Sequence, residues 1–329
     1  MLKQFTQAVL AIFKQGTSAT LTLFKVMIPV VLAVRLLQEF DLIRLLAEPL
    51  GPAMRLVGLP AEMGLVWATA LLNNIYSGLI VFLSLAEQTP LTQAQATVLG
   101  VMVLIAHGLP VELSIARKSG PRLLFQAVSR LGGALFLGWL LSRAYAEMNL
   151  LQGPANVLLQ PDGPGGPVPW DQWLLDQAVN FATIYAIILG LLSLMRLLDV
   201  LGVIRLLNRL LQPVLRIIGI GPKASAITVV GLTLGISYGG GLIIHGARSG
   251  NMDRRDVFYS LTLMGITHSL VEDTLLLVML GGHLSGLLWA RLFYSLVFVA
   301  LVVQIARRLP QSLCDRFLWG PPQAAPSKT

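Results

Sequence analysis

The apolar residues 63–85 are interrupted by Asn73-Asn74-Ile75-Tyr76-Ser77-Gly78, and the apolar residues 226–247 by Gly235-Ile236-Ser237-Tyr238-Gly239-Gly240-Gly241. A membrane-spanning helix takes about 20 predominantly apolar residues, so both stretches are long enough to cross a bilayer. An interrupted helix leaves backbone N–H and C=O groups without intrahelical partners, and in lipid these groups must bind protein, water or a ligand. The interruptions therefore favour re-entrant hairpins, which enter and leave the membrane on the same side.

The composition indicates an integral membrane protein. Of 329 residues, 55% are hydrophobic and only 12% are charged, and the mean hydropathy is +0.74. This is too apolar for a water-soluble domain of the same size. The net charge of +8 comes from basic clusters at the ends of apolar segments, so we assign it to cytoplasmic loops and predict no nucleic-acid partner. The single cysteine, Cys314, excludes an internal disulfide framework.

Six further segments are long and apolar enough to span: residues 19–37, 92–116, 123–141, 174–194, 257–280 and 284–305. Two amphipathic segments, residues 40–59 and 199–220, carry Pro52 and Pro213 at matched places and are predicted to lie flat at opposite interfaces. If both interrupted stretches are hairpins, the main basic clusters fall on one side and the loops 87–90, 145–172 and 281–283, which lack Lys and Arg, on the other. The positive-inside rule then predicts a multi-pass bacterial inner-membrane protein with both termini cytoplasmic.

An internal repeat organises the chain. Ile43-Arg44-Leu45-Leu46 matches Ile204-Arg205-Leu206-Leu207, and His107, Gly120 and Arg130 match His268, Gly281 and Arg291 at one separation of 161 residues. Three crossings per repeat is an odd number, so the second copy enters the membrane upside down. We predict an all-α polytopic membrane protein of two inverted repeats, each with three transmembrane helices, one interfacial amphipathic helix and one re-entrant hairpin. The predicted domains are repeat 1 (1–146), an external Gly/Pro-rich linker (147–172), inverted repeat 2 (173–308) and a cytoplasmic tail (309–329).

This repeat, with its polar hairpins and the sequence His268-Ser269-Leu270-Val271-Glu272-Asp273, resembles the nucleoside-recognition or gate domain family of membrane proteins. That family is similar to the spore maturation membrane proteins, and its domain also occurs in concentrative nucleoside transporters and in ferrous iron transport protein B. The resemblance covers nearly the whole chain as two copies. It implies a gate-like membrane domain and assembly into homo-oligomers.

The hairpin tips and two histidines are the candidate substrate site. Half-helix termini attract ions, so Asn73-Asn74 and Gly239-Gly240-Gly241 are predicted to form a site near the bilayer centre. His107 and His268 are predicted to lie mid-helix, where an ionisable group is costly and is a functional candidate. Alternatively, the glycines have a structural role and only allow close helix packing, and each histidine is a buried residue that only bonds a backbone carbonyl. The candidate residues are Asn73, Asn74, Tyr76, Ser77, Gly78, His107, Ser237, Tyr238, Gly239, Gly240 and His268.

The charged residues of these helices have two predicted roles. His268 and Glu272 are spaced i, i+4 and would share one helix face, which suits a proton relay with Glu272 as the coupling acid. With His107 they are also the alternative ligand set for a divalent metal. Glu112 precedes Arg130 by 18 residues, as Asp273 precedes Arg291, and we predict two structural ion pairs.

These features predict a secondary transporter that moves a small polar solute or ion by alternating access between the repeats. Its partners are the substrate and the lipid bilayer, and no cofactor is expected beyond a coupling H⁺ or Na⁺. A divalent-metal permease and a non-transporting assembly or signalling protein are the alternatives. The sequence contains no P-loop, catalytic triad or HExxH zinc motif, so we do not expect an enzyme.

Overall fold

The computed structural model describes residues 2–40, 42–86, 88–158, 169–250 and 252–319. The regular elements in these ranges are helices, with one isolated β-bridge between Thr92 and Pro154. The first half contains α1 (Leu2–Glu39), α2 (Leu42–Ala47), a 3₁₀ turn (Glu48–Leu50), α3 (Gly51–Leu56), α4 (Met63–Leu72), α5 (Ile75–Ala86), α6 (Gln93–Ile105), α7 (Leu109–Ser119) and α8 (Leu123–Glu147). The second half contains α9 (Trp170–Val200), α10 (Val203–Ile217), α11 (Pro222–Leu234), α12 (Ile236–Arg248), α13 (Arg254–Ile266), α14 (Glu272–Val278), a π-helical turn (Ser285–Ala290), α15 (Arg291–Arg308) and α16 (Gln311–Phe317).

The two halves have the same order of helices. Helix α6 covers residues 93–105 and α13 covers 254–266, so both ends are displaced by the separation of 161 that relates the histidines. Helix α10 covers residues 203–217, and the corresponding residues 42–56 hold α2, the 3₁₀ turn and α3. The prolines explain this difference. Pro49 and Pro52 each remove a backbone donor and divide the first amphipathic segment, whereas α10 accommodates Pro213 within one helix.

Among the described residues, five helical segments are long and apolar enough to cross a membrane, by length and composition: Gly16–Leu37, Gln93–Ser119 (α6 with α7), Leu123–Glu147, Trp170–Val200 and Ser285–Arg308. The predicted sixth span, residues 257–280, is not one continuous helix. Helix α13 ends at Ile266 and α14 begins at Glu272. The predicted span 92–116 is also divided, between α6 and α7, because residues 106–108 leave the helical conformation. Each half therefore has a broken helix that hydropathy alone does not reveal.

Each interrupted apolar stretch forms two helices packed against each other, α4 with α5 and α11 with α12. The breaks are shorter than predicted. Only residues 73–74 separate α4 from α5, and only Gly235, at φ +92°, separates α11 from α12. Ile75 to Gly78 and residues 236–241 were predicted as part of the breaks, but they are helical, because one or two residues outside the helical conformation are enough to turn the chain.

Gly78 and Gly239 allow the two helices of each hairpin to approach closely. A Cβ on Gly78 would lie 2.7 Å from the Ala70 Cβ, and one on Gly239 would lie 2.5 Å from the Gly231 Cα. These contacts support the packing role that the sequence left open for both glycines. The largest apolar core lies beside the first hairpin, where Met63, Leu79, Met102 and Leu137 pack together with Leu277 of the second half.

The predicted linker and the predicted tail both make defined contacts with the helices. The predicted linker contributes residues 151–155, whose carbonyls at Leu151 and Gly153 accept from the first N–H groups of α6. Helix α9 begins at Trp170, inside the predicted linker, so the second half starts slightly earlier than predicted. In the predicted tail, Asp315 of α16 lies 3.3 Å from Arg254 and accepts a hydrogen bond from the Trp319 indole. Residues 320–329 lie outside the described residues.

Candidate functional site

His107 and His268 lie in the breaks of the two divided helices. The prediction that they lie mid-helix is wrong. His107 follows α6 and is followed by Gly108 at φ +57°, and His268 follows α13 and is followed by Ser269 at φ +46°. A left-handed residue cannot continue a right-handed helix, so each chain turns directly after its histidine. Glycine adopts this conformation freely, whereas Ser269 bears a steric cost that its surroundings must offset.

The backbone fixes the orientation of both imidazole rings. Nδ1 of His107 lies 2.9 Å from the Val103 carbonyl oxygen, and Nδ1 of His268 lies 2.9 Å from the Met264 carbonyl oxygen. A carbonyl only accepts, so each Nδ1 carries the proton, and in a neutral imidazole this leaves Nε2 as an acceptor. The two Nε2 atoms lie 3.2 Å apart. Two facing lone pairs at this distance repel unless a proton or a cation lies between them.

Two carboxylates face the same pair of nitrogens. Oδ2 of Asp273 is 3.9 Å from the Nε2 atom of both histidines. Oε1 of Glu112 is 4.0 Å from Nε2 of His107 and 3.7 Å from Nε2 of His268. All four side chains are buried, with exposed fractions between 4% and 11%. We call these four residues the central cluster, and it contains two residues from each half of the chain.

Arg130 is bound tightly to the central cluster. Its Nη1 atom lies 2.7 Å from Oε2 of Glu112, and its other nitrogens donate to the carbonyl oxygens of Ile105 and His107 at 2.9 and 2.7 Å. The break after α6 frees these carbonyls, and Arg130 satisfies them. The predicted pair of Glu112 and Arg130 is therefore formed.

The second predicted pair is not in direct contact. Arg291 donates to the Thr274 hydroxyl at 3.1 Å, and no ion pair within 4.0 Å joins it to Asp273 in the described part of the chain. Its Nε and Nη1 atoms are buried and have no hydrogen-bond partner among the described residues. The spacing of 18 residues thus predicts which helices meet, but the partner of each guanidinium depends on the tertiary packing.

Glu272 does not join His268. The i, i+4 argument requires one continuous helix, but His268 lies in the break and Glu272 is the first residue of α14. Glu272 instead accepts a hydrogen bond from the Tyr76 hydroxyl at 3.4 Å. The acids beside the histidines are Asp273 and Glu112, which were predicted only as partners of the buried arginines. The signal that could have found them was present, since Glu112 and Asp273 share the separation of 161 residues with the histidines.

The tip of the first hairpin uses its polar side chains locally. Asn74 Oδ1 accepts from the Ser77 backbone N–H at 2.9 Å, and Asn73 Nδ2 donates to the Ser77 hydroxyl at 2.5 Å. These bonds cap the start of α5. The asparagines are therefore partly satisfied within the hairpin. Among the predicted glycines of the second hairpin, Gly240 lies against Ile115 of α7, and Gly239 packs on α11. The side chains of Ser237 and Tyr238 lie outside the described part of the structure.

Both hairpins reach the helix breaks through their backbones. The Gly108 N–H donates to the Ala70 carbonyl of α4, and the Leu270 N–H donates to the Leu232 carbonyl of α11, each at 2.9 Å. Each hairpin thus binds the break of its own half, next to the central cluster. The structure therefore brings the hairpins and the histidines together as predicted, although the tips contribute mainly backbone groups.

Comparison with known proteins identifies a relative of this chain. The protein named "Uncharacterized membrane protein YvoD" of Bacillus subtilis (strain 168) is 28% identical over 272 residues, which are 81% of this chain and 84% of that protein. No protein-family model matches the chain, and no solved structure matches it. The similarity supports a membrane protein but does not identify a nucleoside-recognition domain. Together with the five apolar helical segments, it indicates a membrane protein with several apolar helices, as expected of a multi-pass protein.

Proposed function

We propose that the protein is a secondary transporter that moves a small polar solute or ion across the cytoplasmic membrane by alternating access between two inverted repeats. The observation that carries the proposal is the meeting of two helix breaks, one from each half, with the His107 and His268 Nε2 atoms 3.2 Å apart. Secondary transporters bind substrate near the midplane, where broken helices of two repeats meet. The proposal includes two further points, that each repeat is a gate-like domain and that both hairpins are re-entrant.

The repeat supports an inverted arrangement. Helices α6 and α13 have the same length and end at the same distance from their histidines. The basic residues are best accommodated when each half crosses the membrane three times, and an odd number of crossings turns the second half over. A pseudo-twofold axis in the membrane plane would then pass between the two histidines. A site on such an axis is equally available from either side, as alternating access requires.

The polarity of the central cluster supports a functional site. Two carboxylates, two imidazoles and Arg130 are buried together between apolar helices. Ionisable groups inside a membrane protein are costly and are retained mainly on substrate, ion or proton pathways. The facing Nε2 atoms can share a proton, and backbone carbonyls at the second helix break, where Arg130 does not bind, can hold Na⁺. Both ions are therefore candidates for coupling.

The test is a flux assay on purified protein in liposomes. Nucleosides, amino acids, small organic anions and divalent metals are each applied as a concentration jump, with a pH or Na⁺ gradient, and current and internal pH are recorded. We expect one class to give a response in the wild type that is at least tenfold smaller in His107→Ala/His268→Ala. Equal responses of the two proteins to the whole panel would overturn the proposal and favour a non-transporting assembly or signalling protein.

A further inference from the structure

The central cluster has the donor set of a metal site. Four atoms converge: Nε2 of His107, Nε2 of His268, Oδ2 of Asp273 and Oε1 of Glu112. Imidazole nitrogen and carboxylate oxygen are the usual protein ligands of divalent transition metals. The first three atoms lie within 4.8 Å of one another. This set of ligands differs from the predicted one because Asp273 and Glu112 take the place of Glu272.

The nitrogens of His107 and His268 and the oxygen of Asp273 are close enough together to hold one ion, and Oε1 of Glu112 lies beside this group. Each carboxylate oxygen is nearly equidistant from both nitrogens, at 3.9 and 3.9 Å for Asp273 and at 4.0 and 3.7 Å for Glu112. With the N–N distance of 3.2 Å, five edges of a distorted tetrahedron are defined. Ligands about 2.1 Å from a tetrahedral ion are ~3.4 Å apart. A small movement of Asp273 toward the two histidines would bring these three atoms to that spacing.

A shared proton accounts for less of this geometry than a metal does. A proton between the two Nε2 atoms satisfies the nitrogens alone and requires nothing of the oxygens. The oxygens nevertheless surround the N–N pair and approach it from both halves of the chain. A divalent ion beside the N–N pair would engage both nitrogens and a carboxylate oxygen at once.

The surrounding groups have the features of a second coordination shell. Each histidine donates its Nδ1–H to a backbone carbonyl, the arrangement that orients metal-binding imidazoles and directs Nε2 at the ion. Arg130 holds both oxygens of Glu112, since its Nη2 donates to Oε1 at 3.2 Å and its Nη1 lies 2.7 Å from Oε2, and this contact keeps Oε1 beside the histidines. The supporting bonds are therefore already in place.

The charges indicate a site that releases its ion. If both carboxyl groups are ionised, the two negative charges of Glu112 and Asp273 are balanced by the guanidinium groups of Arg130 and Arg291 nearby. A site that is neutral when empty attracts a cation less strongly than one with excess negative charge. From the ligand geometry and this balance we infer that the central cluster binds a divalent transition-metal ion reversibly, as the cargo of the transporter proposed above. The role of the ion as cargo rests on the proposed transport function, whereas ion binding can be tested without it.

The experiment measures Co²⁺ and Zn²⁺ binding by the purified full-length protein, prepared with an affinity tag that contains no histidine. Tetrahedral Co²⁺ absorbs visible light much more strongly than hydrated Co²⁺, and Zn²⁺ should displace it. The chain has four histidines, so His245→Ala/His283→Ala removes every histidine outside the cluster. We expect this control to bind one ion with wild-type affinity. His107→Ala, His268→Ala and Asp273→Asn should each weaken binding at least tenfold.

Folding of the variants is checked by gel filtration and by the unfolding midpoint. Asp273→Asn keeps the size of the side chain and tests the ligand role even if an alanine variant unfolds. No saturable Co²⁺ spectrum in the control, or binding that persists in His107→Ala and Asp273→Asn, would overturn the metal site. Intact metal binding without flux in liposomes would instead overturn the proposed transport function. Flux of another solute without metal binding would overturn the metal site alone.

Discussion

Arg130 and Arg291 occupy matched positions in the two halves but make different contacts. Arg130 binds the Glu112 carboxylate and two carbonyls freed by the break in α6. Arg291 binds the Thr274 hydroxyl, and its Nε and Nη1 atoms have no partner among the described residues. The same residue types at the same spacing thus support two arrangements. The repeat therefore places the same residue types at matched positions in both halves, and the tertiary packing of each half decides which bonds they form.

The two hairpins also differ in how far neighbouring helices cover them. Helix α1 packs along α5 of the first hairpin, whereas the corresponding helix α9 packs against α1 and α10. Ile80 of α5 is buried, and Gly241, its counterpart 161 residues later, is exposed with open space around it. One hairpin is therefore covered and the other is partly open. In a transporter with inverted repeats, exchange of these two arrangements would move access from one side to the other.

The largest expected effect is the loss of Arg130. Arg130→Met would leave the Glu112 carboxylate and two carbonyls buried without their cation, at a cost of about 3 to 5 kcal/mol. Arg291→Met removes one described hydrogen bond and also a buried guanidinium with unpaired nitrogens, so its cost should be below about 2 kcal/mol. Unfolding in mixed detergent micelles measures both. Equal destabilisation would break the comparison between the halves.

An intermediate effect is expected where the hairpin helices touch. A Cβ at position 239 would meet the backbone of Gly231 at 2.5 Å, so Gly239→Ala should destabilise the protein by about 1 to 3 kcal/mol through overpacking. Gly78→Ala should cost somewhat less, since its nearest contact, the Ala70 Cβ, is 2.7 Å away. Gly241→Ala is the matched control, because nothing lies within 4 Å of its Cβ position. Thermal unfolding of the three variants tests this order, and a control as unstable as Gly239→Ala would contradict it.

The smallest expected effect concerns a bond that joins the two halves and has no counterpart. Tyr76 donates to Glu272 at 3.4 Å, while Val111 occupies the position that matches Glu272. Tyr76→Phe should lower the free energy of unfolding by about 1 kcal/mol or less, since the bond is long. A double-mutant cycle with Glu272→Ala isolates the interaction, and strictly additive effects would show that the contact contributes nothing.

Much of the architecture was predictable because it depends on local patterns. Length and hydropathy located most of the apolar helical segments, and the constant separation of 161 residues matches His107 with His268 in the repeat. Both interrupted apolar stretches do form two helices packed against each other, because asparagine or glycine interrupts each of them. The lengths of their breaks were overestimated, because helical dihedrals resume directly after Asn74 and Gly235.

The sequence by itself determined an all-helical membrane protein with an internal repeat, because apolar content and periodicity act residue by residue along the chain. Only the tertiary structure decided where α6 and α13 break and which acids face the histidines. The left-handed residues Gly108 and Ser269 turn the chain, and the i, i+4 geometry that links His268 to Glu272 holds only within a continuous helix. Asp273 and Glu112 therefore meet the histidines by packing of the two halves, which no local pattern specifies.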